Sequence, residues 1–291
     1  MFTLAHVSDV HLAPLPAPRP SELISKRGLG YLNWLRKRRS IHRADMLAAL
    51  VADLKSRAPD HIAITGDLVN LSLASEFALA RDWLDALGEP RDITFVPGNH
   101  DAYVRQAKTF AERHWSAFMC GDARESFPFV RKRGPVALIG LSTSLPTLPL
   151  AATGRLHSGQ LARLGALLHD LKREQMFRVV LIHHSPVAGT NLFRRLADAE
   201  ACRAVLREHG AELVLHGHHH EASLHWLAGP QLRIPVVGVP SASGAPGGHE
   251  DPSGYNIYEI EGAWGAWRCT AITRGWRDGT FGEIGRQPLF A

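Results

Sequence analysis

The sequence predicts an α/β fold in which two packed β-sheets are flanked by helices. Short β-branched or apolar runs alternate with longer helical patterns over the first two-thirds of the 291-residue chain. After residue 230 the helical patterns stop, and two strand-like runs flank a Glu-Gly turn. Hydrophobic residues make up 45% of the chain, which is enough for a large core. The first part therefore resembles βαβ units, and the end an antiparallel addition.

The individual elements follow from the same periodicities. The predicted strands cover residues 4–8, 61–65, 93–96, 136–141, 179–182, 213–215, 236–239, 255–260 and 266–272. The predicted helices cover residues 44–57, 74–87, 102–119, 160–174 and 199–208. We expect one domain over residues 1–291, with a basic insertion or cap at 14–43. The Gly-, Pro- and Ser-rich stretch 241–254 predicts an exposed loop, which begins a C-terminal segment of loop and antiparallel strands at 241–291.

The cysteines and the N-terminal residues indicate the cellular compartment that the sequence predicts. Cys120, Cys202 and Cys269 are odd in number and widely spaced, without a CxxC pair, so neither a disulfide framework nor a cysteine zinc site is expected. The first residues have a strand pattern rather than that of a secretory leader, and no apolar run is long enough to span a bilayer. These features predict a cytoplasmic protein.

Positive charge is concentrated near the N-terminus. Between residues 19 and 43 eight basic residues face one acid, Glu22, although the whole chain carries a net charge of only +5. The segment directly follows His11 and interleaves with Leu32, Trp34 and Leu35, so we expect it near the mouth of a site at that position. A solvated face, contact with an acidic substrate and contact with an anionic membrane surface all remain open interpretations. The basic residues are Arg19, Lys26, Arg27, Arg36, Lys37, Arg38, Arg39 and Arg43.

Five polar clusters share one placement, because each follows a predicted strand. In open α/β sheets, ligands bind at the carboxyl ends of the strands, so clusters from distant parts of the chain are expected to converge there. Their carboxylate, amide and imidazole groups suit Mn, Fe or Zn, and no thiolate is present. The clusters are Asp9-Val10-His11, Gly66-Asp67, Gly98-Asn99-His100-Asp101, His183-His184 and Gly217-His218-His219-His220.

The order of these clusters, D-x-H, G-D, G-N-H-D, H-H and G-H-x-H, resembles the calcineurin-like metallophosphoesterases. The resemblance runs from Asp9 to His220. It implies a four-layer αββα sandwich of two mixed β-sheets flanked by helices. It also implies a site for two divalent metal ions (Mn, Fe or Zn) at the C-terminal ends of the strands.

The resemblance also implies a role for each motif residue. Asp67 would bridge the two metals. One metal would be held by Asp9, His11 and His220, and the other by Asn99, His183 and His218.

Two further residues of the G-N-H-D motif would act on the substrate. Asn99 and His100 would contact the phosphate, and His100 would help the leaving oxygen depart. Asp101 would orient His100. His184 and His219 are expected to point away from the metals, and His6 is expected to be a supporting or core residue.

The substrate is less well defined than the chemistry. The second motif lacks the Arg that follows it in serine/threonine protein phosphatases, and the chain is more similar to bacterial phosphodiesterases of the cyclic-nucleotide and glycerophosphodiester type. We therefore expect hydrolysis of a small phosphate diester by a hydroxide that bridges the metals. The alternatives are a membrane-surface pyrophosphatase of a nucleotide-linked lipid, a phosphomonoesterase of the same family, and a metal-binding scaffold without turnover. The His100-Asp101 pair argues against the scaffold, which needs no proton carrier.

These expectations extend to partners. We expect a small-molecule phosphate diester as the ligand and no nucleic acid. Residues 19–43 are a candidate contact for an anionic membrane surface, which would make the cytoplasmic protein peripheral to the membrane. The sequence leaves a homo-oligomer open.

Overall fold

A computed structural model describes residues 1–189 and 191–290. Two six-stranded β-sheets pack face to face, and helices cover both outer surfaces. This arrangement confirms the predicted four-layer αββα sandwich. Residue 291, the end of the predicted domain and of the predicted C-terminal segment, lies outside the described residues, and the division into domain, insertion and C-terminal segment stays a prediction.

The described residues form the following elements. The strands are β1 (Phe2–Val7), β2 (His61–Ile64), β3 (Ile93–Phe95), β4 (Phe129–Arg133), β5 (Val136–Gly140), β6 (Phe177–Leu181), β7 (Leu213–His216), β8 (Ser223–Leu227), β9 (Ile234–Gly238), β10 (Gly254–Glu261), β11 (Arg268–Arg277) and β12 (Thr280–Phe290). The helices are α1 (Lys26–Asn33), α2 (Arg39–Ile41), α3 (Ala44–Ser56), α4 (Ala74–Leu87), α5 (Ala107–Trp115), α6 (His157–Arg173) and α7 (Ala199–His209), with a π-helical turn at Trp34–Arg38 and 3-10 turns at Pro20–Leu23 and Ser116–Phe118.

Both sheets are mixed. The first has the order β12-β11-β10-β1-β2-β3, with β1, β2 and β3 parallel and the three C-terminal strands antiparallel. The second has the order β4-β5-β6-β7-β9-β8, with a parallel centre and an antiparallel strand at each edge. Parallel strands need long crossover connections, which are usually helical, and α3, α4, α6 and α7 form such connections outside the sheets. The parallel pair β7 and β9 is instead connected through the edge strand β8.

Three apolar layers hold the sandwich together. Successive side chains of a strand point to opposite faces of the sheet, so neighbouring residues of one strand pack in different apolar layers. In β5, Leu138 packs between the sheets and Ile139 packs under the outer helices α6 and α7. In β1, Leu4 faces the other sheet and Val7 faces the layer under α3, α4 and α5.

The structure differs from the predicted elements in several places. The predicted helix over residues 102–119 is replaced by irregular turns followed by the shorter α5 and a 3-10 turn. Strands β4, β8 and β12 lie at sheet edges, and the sequence did not predict them. They pair on one side only, and edge strands carry weaker hydrophobic patterns than central ones. Within the described residues, no helix combines the length and apolar character needed to span a bilayer.

One buried ion pair ties the helix layer to the C-terminal strands. The Asp53 carboxylate of α3 accepts hydrogen bonds from Arg274 Nε at 2.6 Å, Arg274 Nη2 at 2.8 Å and the Tyr255 hydroxyl at 2.6 Å. Burial alone would raise the pKa of Asp53, but these donors outweigh it and lower the pKa below its usual value.

Replacement of Asp53 should therefore destabilise the fold. We expect Asp53→Asn to lower the free energy of unfolding by about 2 kcal/mol at pH 7, because hydrogen bonds to a charged partner are lost and Arg274 stays buried. Because the pKa of Asp53 is lower in the native protein than in the unfolded chain, its ionised form stabilises the fold at pH values above the unfolded pKa of about 4. This stabilisation is lost as the pH falls through the native pKa of Asp53. Urea unfolding at pH 7 and pH 3 should thus show a smaller difference at pH 3. The exposed Asp82→Asn on α4 is the control, and equal losses in both variants would contradict the assignment.

Candidate metal centre

Sharp turns after β1 and β2 bring the first two motifs together. Asp9, His11 and Asp67 have φ angles of 52°, 42° and 56°, in the left-handed region that non-glycine residues rarely adopt. The backbone N–H of Asp9 donates to Gly66 O at 2.9 Å, and that of His11 donates to Asp67 O at 2.9 Å. These bonds hold two strained turns side by side, and strain of this kind is concentrated at functional sites.

Two buried carboxylates, those of Asp9 and Asp67, form the middle of the site. Asp9 Oδ1 lies 3.2 Å from His220 Nε2, and Asp67 Oδ2 lies 3.4 Å from His183 Nε2. His11 Nε2 faces both carboxylates, at 4.0 Å from Asp9 Oδ1 and 3.9 Å from Asp67 Oδ2. Three imidazoles from three different loops therefore point at one pair of acids.

Asn99 and His218 complete the group of seven predicted ligands. Asn99 Oδ1 is 3.2 Å from His183 Nε2. The His218 ring lies 5.2 Å from that of His183, between centroids, and its backbone N–H donates to Asp9 Oδ2 at 2.9 Å. The structure thus brings all seven residues into one buried cluster.

The outward nitrogens of the histidines are held by hydrogen bonds. Nδ1–H of His183 donates to Thr65 O at 2.6 Å, and Nδ1–H of His11 donates to Val69 O at 3.2 Å. His220 donates in the same way to Glu250 Oε2 at 2.7 Å. A fixed outer hydrogen bond orients the ring and directs Nε2 toward the centre, as in metal-binding histidines.

The carboxylates dominate the electrostatics of the cluster. Burial lowers the pKa of a histidine, but Asp67 overrides it at His183, and Asp9 and Glu250 override it at His220, so both pKa values rise to about 9. The same contact with His220 lowers the pKa of Asp9 despite its burial. At His11, burial and the neighbouring cationic groups lower the pKa well below its usual value. The cluster therefore attracts positive charge.

Two buried atoms of the cluster fit a cation. Among the described residues, His11 Nε2 has no hydrogen-bond partner, and Asp9 Oδ1 has none apart from His220 Nε2 at 3.2 Å. An unsatisfied buried polar atom costs roughly 1–3 kcal/mol, so such atoms need an explanation. One oxygen or nitrogen from each residue of Asp9, His11 and His220, and likewise of Asp9, Asp67 and His183, lies within 4.8 Å of the others. The donors are oxygen and nitrogen, which suits divalent ions such as Mn, Fe or Zn.

Asp101 does not orient His100, and that prediction is wrong. Its carboxylate accepts four backbone N–H groups, which hold the loops after β2 and β3 in place: those of Asp67 (2.7 Å), Leu68 (2.9 Å), Val69 (3.3 Å) and Gly98 (2.8 Å). His100 is instead oriented by the carbonyl of Asn70, which accepts from Nδ1 at 2.6 Å. An Asp in a loop can accept hydrogen bonds from nearby backbone N–H groups as readily as from a neighbouring side chain. The position of Asp101 in the sequence does not distinguish these two roles.

The other histidines lie outside the centre of the cluster. Both ring nitrogens of His184 are engaged, Nδ1 with Thr143 Oγ1 at 2.7 Å and Nε2 with Ala152 O at 3.0 Å. His219 is exposed. His6 is buried under the site and bonds Thr65 Oγ1 at 2.8 Å.

The sequence reasoning missed three residues that support the cluster: Glu250, Ser241 and His42. Glu250 lies in the stretch predicted as an exposed loop, but part of that stretch is buried, and Ser241 Oγ donates to Asp9 O at 2.6 Å. His42, at the end of the basic segment, is buried with its ring centroid 4.3 Å from that of His11. The one available signal was the unusual abundance of histidine, which does not single out position 42.

A cavity of about 410 Å³ opens directly above the cluster. Asp67, Asn99 and His100 form part of its floor. Burial and the Arg38 guanidinium lower the pKa of His100 to about 3, so its ring is neutral with the proton on Nδ1. Trp34 and Arg38, from the π-helical turn after α1, form part of the cavity wall, and Arg38 Nη1 lies 3.3 Å from His100 Nδ1. A guanidinium therefore faces the space above the two carboxylates.

Comparisons with known proteins agree with this geometry. The family model for calcineurin-like phosphoesterase matches residues 2–222. A probable cyclic nucleotide phosphodiesterase of Synechococcus sp. is 29% identical over 225 residues, which cover 76% of this chain and 79% of that protein.

Two solved structures share the fold. A dimetal phosphatase from Danio rerio superposes with a TM-score of 0.64 at 15% identity, covering 97% of this chain and 98% of that one. A purple acid phosphatase from yellow lupin gives 0.61 at 12% identity, covering 97% of this chain and 52% of that one. From the matched residues, which span the whole metal cluster, the chain belongs to the calcineurin-like phosphoesterase family.

Proposed function

We propose that this chain is a dinuclear-metal-dependent phosphodiesterase that hydrolyses a small phosphate diester such as a cyclic nucleotide. The observation that carries the proposal is the pair of buried carboxylates, Asp9 and Asp67, faced by three imidazoles, with His11 Nε2 beside both acids and without a hydrogen-bond partner among the described residues. The name of the Synechococcus relative, a probable cyclic nucleotide phosphodiesterase, supports the diester substrate.

The proposed ligands divide around Asp67, which lies between the two groups. Asp9, His11 and His220 would hold one metal, because their Nε2 and Oδ1 atoms converge. Asn99, His183 and His218 would hold the other, because these side chains lie on the opposite side of Asp67. Two bound divalent cations would neutralise the phosphate and lower the pKa of a water shared between them.

His100 and Asn99 would contact the phosphate from the floor of the cavity. Because the Nδ1 proton of His100 is bonded to Asn70 O, its Nε2 is the atom available to the leaving oxygen. The neutral ring would first take up a proton from solvent at Nε2 and then give that proton to the leaving oxygen, which returns the ring to its neutral form. Asn99 presents an amide beside His183, from which it can serve both metal and substrate. Asp101 would act only through the loop backbone that it holds, as a positioning residue.

Arg38 would bind the non-bridging phosphate oxygens from the cavity wall next to His100. Its guanidinium lies beside His100 in a largely enclosed position and experiences the field of Asp67, Glu250 and Asp9. A guanidinium makes paired hydrogen bonds to phosphate oxygens, which adds geometric specificity to charge.

A substrate screen tests the proposed function. We expect Mn²⁺-loaded protein to hydrolyse diesters, including cyclic nucleotides and bis(p-nitrophenyl) phosphate, faster than the matched monoesters, and chelator to abolish the activity. Asp67→Ala should lose turnover and bind less Mn²⁺ by calorimetry, because the acid shared by both ligand groups is gone. The exposed Asp82→Ala is the control. Faster hydrolysis of monoesters would replace the diester assignment with a phosphomonoesterase, and retained Mn²⁺ binding in Asp67→Ala would remove the bridging role.

Replacement of His100 should separate chemistry from metal binding. We expect His100→Ala to keep its Mn²⁺ stoichiometry and to lose roughly 10²–10⁴-fold in kcat, the range typical for a proton-transferring side chain. A substrate with a better leaving group should recover part of that loss. The exposed His219→Ala should retain full activity. Release of metal from His100→Ala would show that the ring is a ligand.

Replacement of Arg38 should weaken substrate binding. We expect Arg38→Ala to lower kcat/KM on a soluble diester by about 10–100-fold, the value of one charge-assisted interaction, with Mn²⁺ affinity unchanged. Arg38→Lys should recover only part of the loss because it lacks the planar fork. Arg36→Ala, exposed on the same turn, is the matched control. Equal kcat/KM in Arg38→Ala and Arg36→Ala would exclude Arg38 from phosphate binding.

A further inference from the structure

Exposed apolar side chains are concentrated around the mouth of the cavity. Twelve large hydrophobic residues are exposed in the described part of the chain, and eight of them lie on three segments that border the mouth. Monomeric proteins rarely expose clustered apolar side chains without a binding role. The eight are Ile24, Leu29, Leu32, Leu35, Leu148, Leu150, Leu192 and Phe193, with exposures from 42% to 94%.

The three segments form one continuous rim. Lys26 Nζ donates to Thr147 O at 2.9 Å, which joins the first segment to the second. The backbone N–H of Ala152 donates to Phe193 O at 2.7 Å, which joins the second to the third. We call residues 19–43, 142–155 and 191–197 the mouth rim. Each of its segments contributes residues to the cavity wall, so the rim surrounds the entrance to the metal cluster.

The mouth rim is also strongly basic. It holds 11 of the 33 Lys and Arg residues of the chain but only one of the 28 Asp and Glu residues, Glu22. The rest of the chain therefore has more acids than bases. Arg36, Lys37 and Arg39 are exposed on the same segment as Leu32 and Leu35, so exposed apolar and cationic side chains are interspersed along it.

We propose that the mouth rim docks on an anionic lipid surface. Aliphatic side chains would enter the boundary between headgroups and acyl chains, while Lys and Arg contact the anionic headgroups. A second copy of the chain fits poorly, because a two-fold contact would oppose basic rims. Nucleic acid fits poorly as well, because single-stranded ligands use aromatic stacking platforms rather than exposed leucines.

If the mouth rim faces the lipid surface, the cavity opens toward the membrane, which points to a class of substrate; this step rests on the proposed function. The cavity is polar at its floor, at Asn99 and His100, and apolar toward its mouth, at Leu29, Pro149 and Leu150. An amphiphilic phosphate ester, with its phosphate at the floor and its apolar chain toward the lipid, matches that polarity.

Vesicle co-sedimentation of the full chain tests the docking. We expect binding to vesicles of phosphatidylglycerol and phosphatidylcholine, weak binding to phosphatidylcholine alone, and loss of binding at high salt. Leu148→Ser combined with Phe193→Ser should lower the partition coefficient on the order of 10-fold, because two inserted apolar groups are lost. Leu232→Ser combined with Ile284→Ser, also exposed but outside the rim, is the matched control.

A charge series tests the electrostatic part. Arg36→Gln, Lys37→Gln and Arg39→Gln together should lower the partition coefficient on the order of 100-fold, from the loss of three headgroup contacts. Arg91→Gln, Lys108→Gln and Arg113→Gln remove the same charge from exposed positions outside the rim and should have a small effect. Equal effects of the two triple variants would overturn specific docking by the rim.

Two other readouts separate the alternatives. Hydrolysis of soluble bis(p-nitrophenyl) phosphate by Leu148→Ser/Phe193→Ser should match that of the parent, because neither residue lines the cavity. Since vesicle binding needs no turnover, an inactive protein that still binds would sink the proposed function and leave the docking intact. Equal binding to anionic and neutral vesicles, or a dimer in sedimentation equilibrium that the rim variants dissociate, would overturn the lipid proposal.

Discussion

The organisation of this protein depends on keeping two carboxylates, Asp9 and Asp67, ionised in a dry interior. Removing a charge from water is costly unless opposite charge or hydrogen-bond donors replace the water. The fold supplies both, with imidazoles directed at the acids and backbone N–H groups such as that of His218 donating to Asp9. The negative charge of these carboxylates also raises the pKa values of His183 and His220. A bound divalent cation would balance that negative charge in place of the protons on the two imidazoles.

Holding those acids explains features of the surrounding backbone. The turns that carry them have left-handed φ angles, and strained turns persist only where neighbouring contacts fix them. Asp101 provides such contacts by collecting four N–H groups from two loops, and Ser241 adds another from a loop far along the chain. The C-terminal part of the chain therefore completes the site in addition to extending the first sheet, because Glu250 holds His220.

Chemistry and recognition occupy different parts of the molecule. The candidate metal cluster lies at the ends of parallel strands, where a rigid scaffold positions side chains. The cavity walls come instead from the basic segment and from the loops that follow β5 and β6. Loops tolerate substitutions and insertions better than strands do, so substrate specificity can vary while the residues of the cluster stay unchanged. In this chain that outer part combines Arg38 within the cavity and an apolar, basic rim around it.

The amino-acid sequence by itself determined the α/β class, the central strands and the motifs of the candidate metal cluster, because buried strands and groups of carboxylate and imidazole residues leave local signals of periodicity and residue type. It did not determine the edge strands β4, β8 and β12, whose patterns are weak, or the short α5. Only the tertiary structure decided that Asp101 binds backbone rather than His100, and that His42, Glu250 and Arg38 reach the cluster. Those contacts join residues that are far apart in the chain, and their geometry arises only when the two sheets and their loops pack together.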